Sequence, residues 1–234
     1  MDVYYIHAKS DEDPTLTDEA VKALKGKTVG IVTSIQLLHG IKKVQAQLPG
    51  SMIAGQVLGC NAYNAENIKD KVDCFLFVGS GEFHPIQVAT RTKKPTYVYN
   101  PAGKRFGQLS DKTITAYLKR RQGSILKFLN AKNVGIIVST KIGQKNFKRA
   151  LELKKQTDRT YHVFVADTLN FAEFENFPFI DCWVNTACPR IADEKAGIVN
   201  INDLVEEGVI SFPKVEGGYE IPIWMSKKGM KKAD

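Results

Sequence analysis

Three short stretches of the chain carry side chains able to do chemistry. Ala187-Cys188-Pro189-Arg190 ends an apolar run that begins at Asp181. Proline has no N–H to give a sheet, so the run predicts a strand whose tip presents Cys188. Gln56-Val57-Leu58-Gly59-Cys60 closes a second short strand, with Cys60 beside a glycine. Gly79-Ser80-Gly81-Glu82-Phe83-His84-Pro85 follows a third. Glycines directly after a strand let backbone approach a ligand closely, and a helix starting there offers N–H groups to a carboxylate or phosphate. Thiols at strand ends suit metal binding or catalysis, and the Arg190 guanidinium beside Cys188 suits a bound carboxylate.

Residue types alone leave alternatives open at each place. Cys60 and Cys188 read either as ligands of one metal site or as two unrelated thiols, because their spacing forms no compact CxxC motif. The GSG turn also serves strand-to-helix geometry with no ligand. His84 could be a capping or buried histidine, and Arg190 a surface residue.

These stretches need rigid elements behind them. Val3-Tyr4-Tyr5-Ile6 reads as a short strand, and a helix capped by Thr17 runs to about Gly26. Val29 to Thr33 is a continuous apolar run leading into helical spacing through Val44 and Leu48. Val72 to Val78 is a buried strand, Glu82 to Thr90 the helix after it, and Pro95 to Tyr99 a further strand. Ile68 lies on a brief helix. Strands alternating with helices imply a parallel sheet covered on both faces.

The pattern then repeats. Val134-Gly135-Ile136-Ile137-Val138 echoes Val29-Gly30-Ile31-Val32-Thr33. Ile180-Asp181-Cys182-Trp183-Val184 echoes Val72-Asp73-Cys74-Phe75-Leu76, and Gly197 to Ile201 echoes Thr96 to Asn100. Matches in the same order predict an α/β fold of two similar domains, each a small parallel sheet flanked by helices and related by internal duplication. The helix from Thr113 to Leu129 marks the join, so the domains are expected over residues 1–112 and 113–234. The repeat also sorts the four cysteines: Cys74 and Cys182 fall at equivalent positions within apolar strands and read as core, leaving Cys60 and Cys188 for chemistry.

Composition sets outer bounds. No apolar run is long enough to span a bilayer, and the N-terminus lacks the basic start and apolar core of a signal peptide, so a cytoplasmic protein is expected. The formal net charge is +8. Its lysines cluster on what look like helix faces, at Lys119 to Arg121 and Lys141 to Lys155, and aromatics are not interleaved with them. Solvated helix faces therefore explain the charge better than a nucleic-acid surface does. An RNA-binding face around Lys145, Lys148 and Lys154 would show itself by affinity falling steeply with salt. The basic, glycine-punctuated tail from Phe212 to Lys232 is expected to end in mobile residues.

Taken together, Gly55 to Asn61, Val78 to Pro85 and Ala187 to Ile191 resemble the diphthamide synthase family, 2-(3-amino-3-carboxypropyl)histidine synthases. Supporting stretches are Val29 to Gln36, Ile137 to Gln144 and Phe177-Pro178-Phe179. The resemblance covers the family's second and third domains and leaves its first domain and first cysteine without a counterpart. It implies a [4Fe-4S] cluster held by thiolates from separate domains, with Cys60 and Cys188 as two of the ligands. It further implies that S-adenosylmethionine binds the cluster and is cleaved to a 3-amino-3-carboxypropyl radical, which adds to a histidine of translation elongation factor 2. Gln56, Gly79, Ser80, Gly81, His84 and Arg190 would help to hold that co-substrate. An electron donor and a homodimer or family partner subunit are implied with it. The other reading of the same resemblance is a non-catalytic partner subunit, or an S-adenosylmethionine-binding module lacking a complete cluster site.

Overall fold

The computed structural model describes residues 6, 8–156, 158–194 and 197–212. The strand expected over residues 3–6 lies outside them except for Ile6, which is exposed and in no strand. The tail from residue 213 onward also lies outside. The chain divides into two units, Met1–Lys119 and Arg120–Asp234.

In the first unit, helix α1 (Asp18–Leu24) starts at Thr17, whose hydroxyl accepts the Ala20 N–H. Strand β1 (Val29–Thr33) follows, buried at every position. A 3₁₀ segment over Ile35–Gly40 leads into α2 (Ile41–Gln47). A single helix was expected here. Gly40 interrupts it where Pro14 packs so closely that a Cβ would lie 2.7 Å from the proline ring. Then come β2 (Met52–Gln56), the short α3 (Tyr63–Glu66), β3 (Cys74–Val78), α4 (Phe83–Thr92), β4 (Thr96–Asn100) and β5 (Arg105–Gln108).

The sheet order is β2-β1-β3-β4-β5, parallel except for β5, which runs antiparallel to β4 at the edge. This departs from an all-parallel sheet. Residues Pro101 to Lys104 form a tight turn with a Lys104 N–H to Pro101 C=O bond, and such a turn can only return an antiparallel strand. Apolar clusters lie on both faces of the sheet. One gathers Leu24, Ile31, Val44, Leu76 and Tyr99, the other Val32, Val57, Phe75, Phe77 and Val88. A strand buried on both sides needs the continuous apolar run seen in β1 and β3.

Helix α5 (Asp111–Asn130) contains the division between the units. The second unit continues with β6 (Asn133–Ser139), α6 (Phe147–Leu153), β7 (Thr160–Ala166), β8 (Cys182–Asn185), α7 (Ile191–Glu194), β9 (Ile198–Asn200) and α8 (Ile201–Glu206). Its sheet is all parallel, in the order β7-β6-β8-β9. Arg121 anchors α5 to α8 through ion pairs with Asp203, Glu206 and Glu207. The sequence expectations had not included β5, β7, α7 or α8.

Matched devices support the two sheets. Asp73 accepts the Thr28 N–H at 2.7 Å, and Asp181 accepts those of Lys132 and Asn133 at 3.0 and 2.8 Å. Each carboxylate thus caps the start of the central strand beside it. Gly30 in β1 faces the Phe75 ring, and Gly135 in β6 faces the Trp183 ring. A Cβ would lie 2.6 and 2.5 Å from those rings. Glycine is needed at both places for space, since neither has a positive φ.

Candidate functional site

The Cys60 turn is built from local hydrogen bonds and one distant ring. β2 stops at Gln56, short of the strand end expected at Cys60. A bulge near Gly55, whose φ is +102°, turns the chain aside, and Val57 makes one last bond to the Thr33 carbonyl at 2.9 Å. Leu58 and Asn61 then exchange two backbone hydrogen bonds at 2.9 and 3.0 Å, which leaves Gly59 and Cys60 at the tip. The Asn61 side chain accepts the Tyr63 N–H at 2.9 Å and so starts α3. The ring of Phe83 lies on Gly59, where a Cβ would come within 1.8 Å of it. Gly59 has no positive φ; it is glycine because the ring occupies the place of a side chain.

Phe83 opens α4, so the same ring ties the Cys60 turn to the loop after β3. Thr33 donates to the Val78 carbonyl at 2.7 Å, and the Gly79 N–H donates to the Tyr99 carbonyl at 2.9 Å. Beyond that point Ser80 and Gly81 are exposed, and Gly81 has φ +77°. His84 stacks on Phe77 with ring centroids 5.6 Å apart and meets Phe83 edge-on at 5.7 Å. Gln56 ends β2, and its carbonyl accepts from the Asn64 side chain at 2.8 Å. The first unit therefore gathers Cys60, Gly79, Ser80, Gly81 and His84 around Phe83 and the carboxyl ends of β2 and β3.

The Cys188 turn follows β8. Its strand is paired to β6, and Thr186 is fixed to the Ile137 carbonyl through both its N–H and its hydroxyl, at 3.1 and 2.8 Å. The Cys188 carbonyl then accepts the Ile191 N–H at 3.0 Å. Pro189 and Arg190 are the two central residues of that turn. Pro189 suits the first of them because its fixed φ matches and its missing N–H is not needed there. Arg190 is exposed. Arg120 of α5 binds the Asp193 carboxylate and carbonyl, which ties α7 to α5.

The four cysteines are free thiols in two environments. Cys74 and Cys182 are buried in β3 and β8. Burial raises the pKa of Cys74 and pushes that of Cys182 up to about 12. Cys60 is exposed and Cys188 partly so, both beyond the carboxyl ends of strands. Open sheets with this order bind ligands at that end.

The donor chemistry of these two thiols fits an iron–sulfur cluster, which takes cysteine thiolates. The core pair does not fit, being sealed and held as thiols. Among the described residues no group of three or more His, Cys, Asp and Glu side chains is placed to hold a metal ion. The lysines of the basic stretch, Lys145, Lys148 and Lys154, are exposed around α6, while Arg149 is engaged with Asn202 and the Phe212 ring.

Comparison with known proteins places these features in a family. The family model for diphthamide synthesis proteins matches residues 1–196. A 2-(3-amino-3-carboxypropyl)histidine synthase of Methanocaldococcus jannaschii is 34% identical over 197 residues, which are 80% of this chain and 54% of the relative. Its namesake from Pyrococcus horikoshii is 32% identical over 71% of this chain and 51% of its own. Subunit 1 of the Caenorhabditis elegans enzyme of that name is 26% identical over 76% and 48%. Among solved structures, Dph2 from Pyrococcus horikoshii with a 4Fe-4S cluster superposes with a TM-score of 0.67 at 28% identity. That match covers 84% of this chain and 64% of the other. The chain spans about half the length of these curated relatives.

Proposed function

This chain belongs to the diphthamide synthesis protein family, and on that premise we propose that it takes part in the first step of diphthamide formation. That step transfers the 3-amino-3-carboxypropyl group of S-adenosylmethionine to a histidine of translation elongation factor 2. The observation that carries the reading is the sorting of the thiols. Two of the four cysteines are sealed in strands, and the other two stand on turns at the carboxyl ends of strands, with backbones fixed by their surroundings.

In this reading Cys60 and Cys188 each give a thiolate to a [4Fe-4S] cluster. When bound, the cluster would supply the one-electron cleavage that releases a 3-amino-3-carboxypropyl radical from the co-substrate. The chain's other residues bind and orient. Gly79 fixes the loop by its bond to the Tyr99 carbonyl, Ser80 and Gly81 leave backbone exposed before α4, and the start of a helix offers N–H groups to an anion. They suit the carboxylate of the aminocarboxypropyl group, with Arg190 as a second carboxylate partner. Gln56 and His84 complete the co-substrate contacts. The rings of Phe77 and Phe83 limit the movement of His84, which keeps its imidazole in one place. The setting is the cytoplasm, where thiols stay reduced, and an electron donor and a homodimeric or family partner complete the system. The common strand order and the matched Asp and Gly devices support reading the two units as copies of one duplicated unit, joined near residue 112.

Anaerobic reconstitution with iron and sulfide tests the assignment. Bound iron should fall to background in Cys60→Ala and in Cys188→Ala but stay near the parent value in Cys74→Ala. Equal iron in the parent and both turn variants would remove the cluster reading. A second reading is a non-catalytic partner subunit, or an S-adenosylmethionine-binding module lacking a complete cluster site, with another subunit supplying the working cluster. It draws on relatives named as subunit 1 of the synthase. Product formed by this chain alone with a chemical reductant would exclude it.

A further inference from the structure

We propose that Asn185 is a positioning residue that sets the place of Cys188, a role that rests on the cluster reading above for its purpose but not for its geometry. Asn185 closes β8 and is 1% exposed. Its Nδ2 donates to the Cys188 carbonyl and to Asn200 Oδ1, both at 2.8 Å, and its Oδ1 accepts the Ala187 N–H at 3.0 Å. Only one orientation of the amide serves all three partners. A flipped amide would set its oxygen against two oxygens and its nitrogen against an N–H.

The side chain thus spans the turn from inside. It grips the backbone on both sides of the Ala187-Cys188 peptide and is itself braced on Asn200 at the end of β9. The anchor beneath is firm on every side. Asn185 lies in register with Ile137 and Asn200, and Asn146 donates to the Thr186 carbonyl at 2.6 Å. With the Ile191 N–H on the same Cys188 carbonyl, both lone pairs of that oxygen are used. A buried amide with this many satisfied bonds holds one conformation, because each alternative strands a polar group. The consequence is a thiol that is partly exposed yet carried on a backbone with little freedom. Ligands to a preformed centre require this.

The test measures Cys188 without any cluster. Alkylation of native protein by N-ethylmaleimide, followed by peptide mass spectrometry, gives the Cys188 and Cys60 rates in one chain. Asn185→Ala and Asn185→Asp should each raise the Cys188-to-Cys60 rate ratio by roughly tenfold, the factor that one buried hydrogen bond represents. Asn200→Ala removes only the brace and should raise it less, which keeps the test open if the Asn185 variants fail to fold. Val184→Ala, a core deletion in the same strand, should lower thermal stability and leave the ratio unchanged. Ratios equal to the parent's in folded Asn185 and Asn200 variants would overturn the proposal, as would a Val184→Ala effect of the same size. Iron retained after reconstitution is read separately. A raised ratio with undiminished iron would uphold the positioning role and count against the cluster reading.

Discussion

Cys60 follows β2, a sheet-edge strand, whereas Cys188 follows β8, which pairs on both sides with β6 and β9. The two sheets share an order, and in that order β8 corresponds to β3, so the counterpart of the Cys188 turn is the Gly79-Ser80-Gly81 loop. The means of support differ as well. The first turn is held by a ring lying on a glycine, the second by a buried amide and a proline turn. Two units built on one plan can therefore present a thiol from different loops with different chemistry, while Asp73 and Asp181, or Gly30 and Gly135, keep the same task.

The sharpest way to break that comparison is Gly59→Ala. Its Cβ would enter the Phe83 ring, so ring or turn must move, at a cost of about 1–3 kcal/mol for overpacking. Cys60 alkylation should change and Cys188 alkylation should not, as read by urea unfolding and peptide mapping. A silent substitution would mean that the ring does not hold the turn. Next in size are Gly30→Ala and Gly135→Ala. They should destabilise their own units by similar amounts, about 1–2 kcal/mol each, because each new methyl group meets one aromatic ring. Widely different costs, measured by hydrogen exchange in β1 and β6, would show that the glycines are not equivalent.

The last prediction is a pH dependence. Cys182 has its pKa raised from 9.0 to about 12 by burial. A group raised in the folded state contributes stability that is whole below its unfolded pKa and is lost as pH rises through the folded one. Between pH 9 and 12 the parent should therefore lose up to about 1.4 kcal/mol per pH unit more than Cys182→Ala does. Cys74→Ala should flatten the curve in the same direction. Asp181 works at the opposite end. Its pKa is lowered by the Asn133 and Lys132 N–H groups, so its contribution fades as pH falls below 3.8.

Strands β1, β3, β6 and β8 were legible because burial on two faces demands an unbroken apolar run, as in Val29 to Thr33 and Cys74 to Val78. The placing of the cysteines was legible for the same reason: a cysteine inside such a run is core, and one beside glycine or proline at its end is not. β7 was missed although Val163 to Ala166 is apolar: it is an edge strand paired only with β6, most of its residues are only half-buried, with Val165 55% exposed, and His162 separates that run from Tyr161. β5 was missed because an edge strand of four residues, Arg105 to Gln108, leaves little apolar pattern to read.

The supporting residues divide in the same manner. Phe83 and Asn185 look like ordinary members of a helix start and a strand end, and no local signal marks them. Phe83 lies far along the chain from Gly59, and Asn185 is braced by Asn200 on another strand. The sequence by itself determined the central buried strands, the alternation of strand and helix around them and which thiols stand outside the core, since these follow from short-range periodicity and burial. Only the tertiary structure decided what holds Cys60 and Cys188 in place. A ring filling the space above a glycine, or one amide orientation satisfying three partners, depends on residues that only folding brings within a few ångströms.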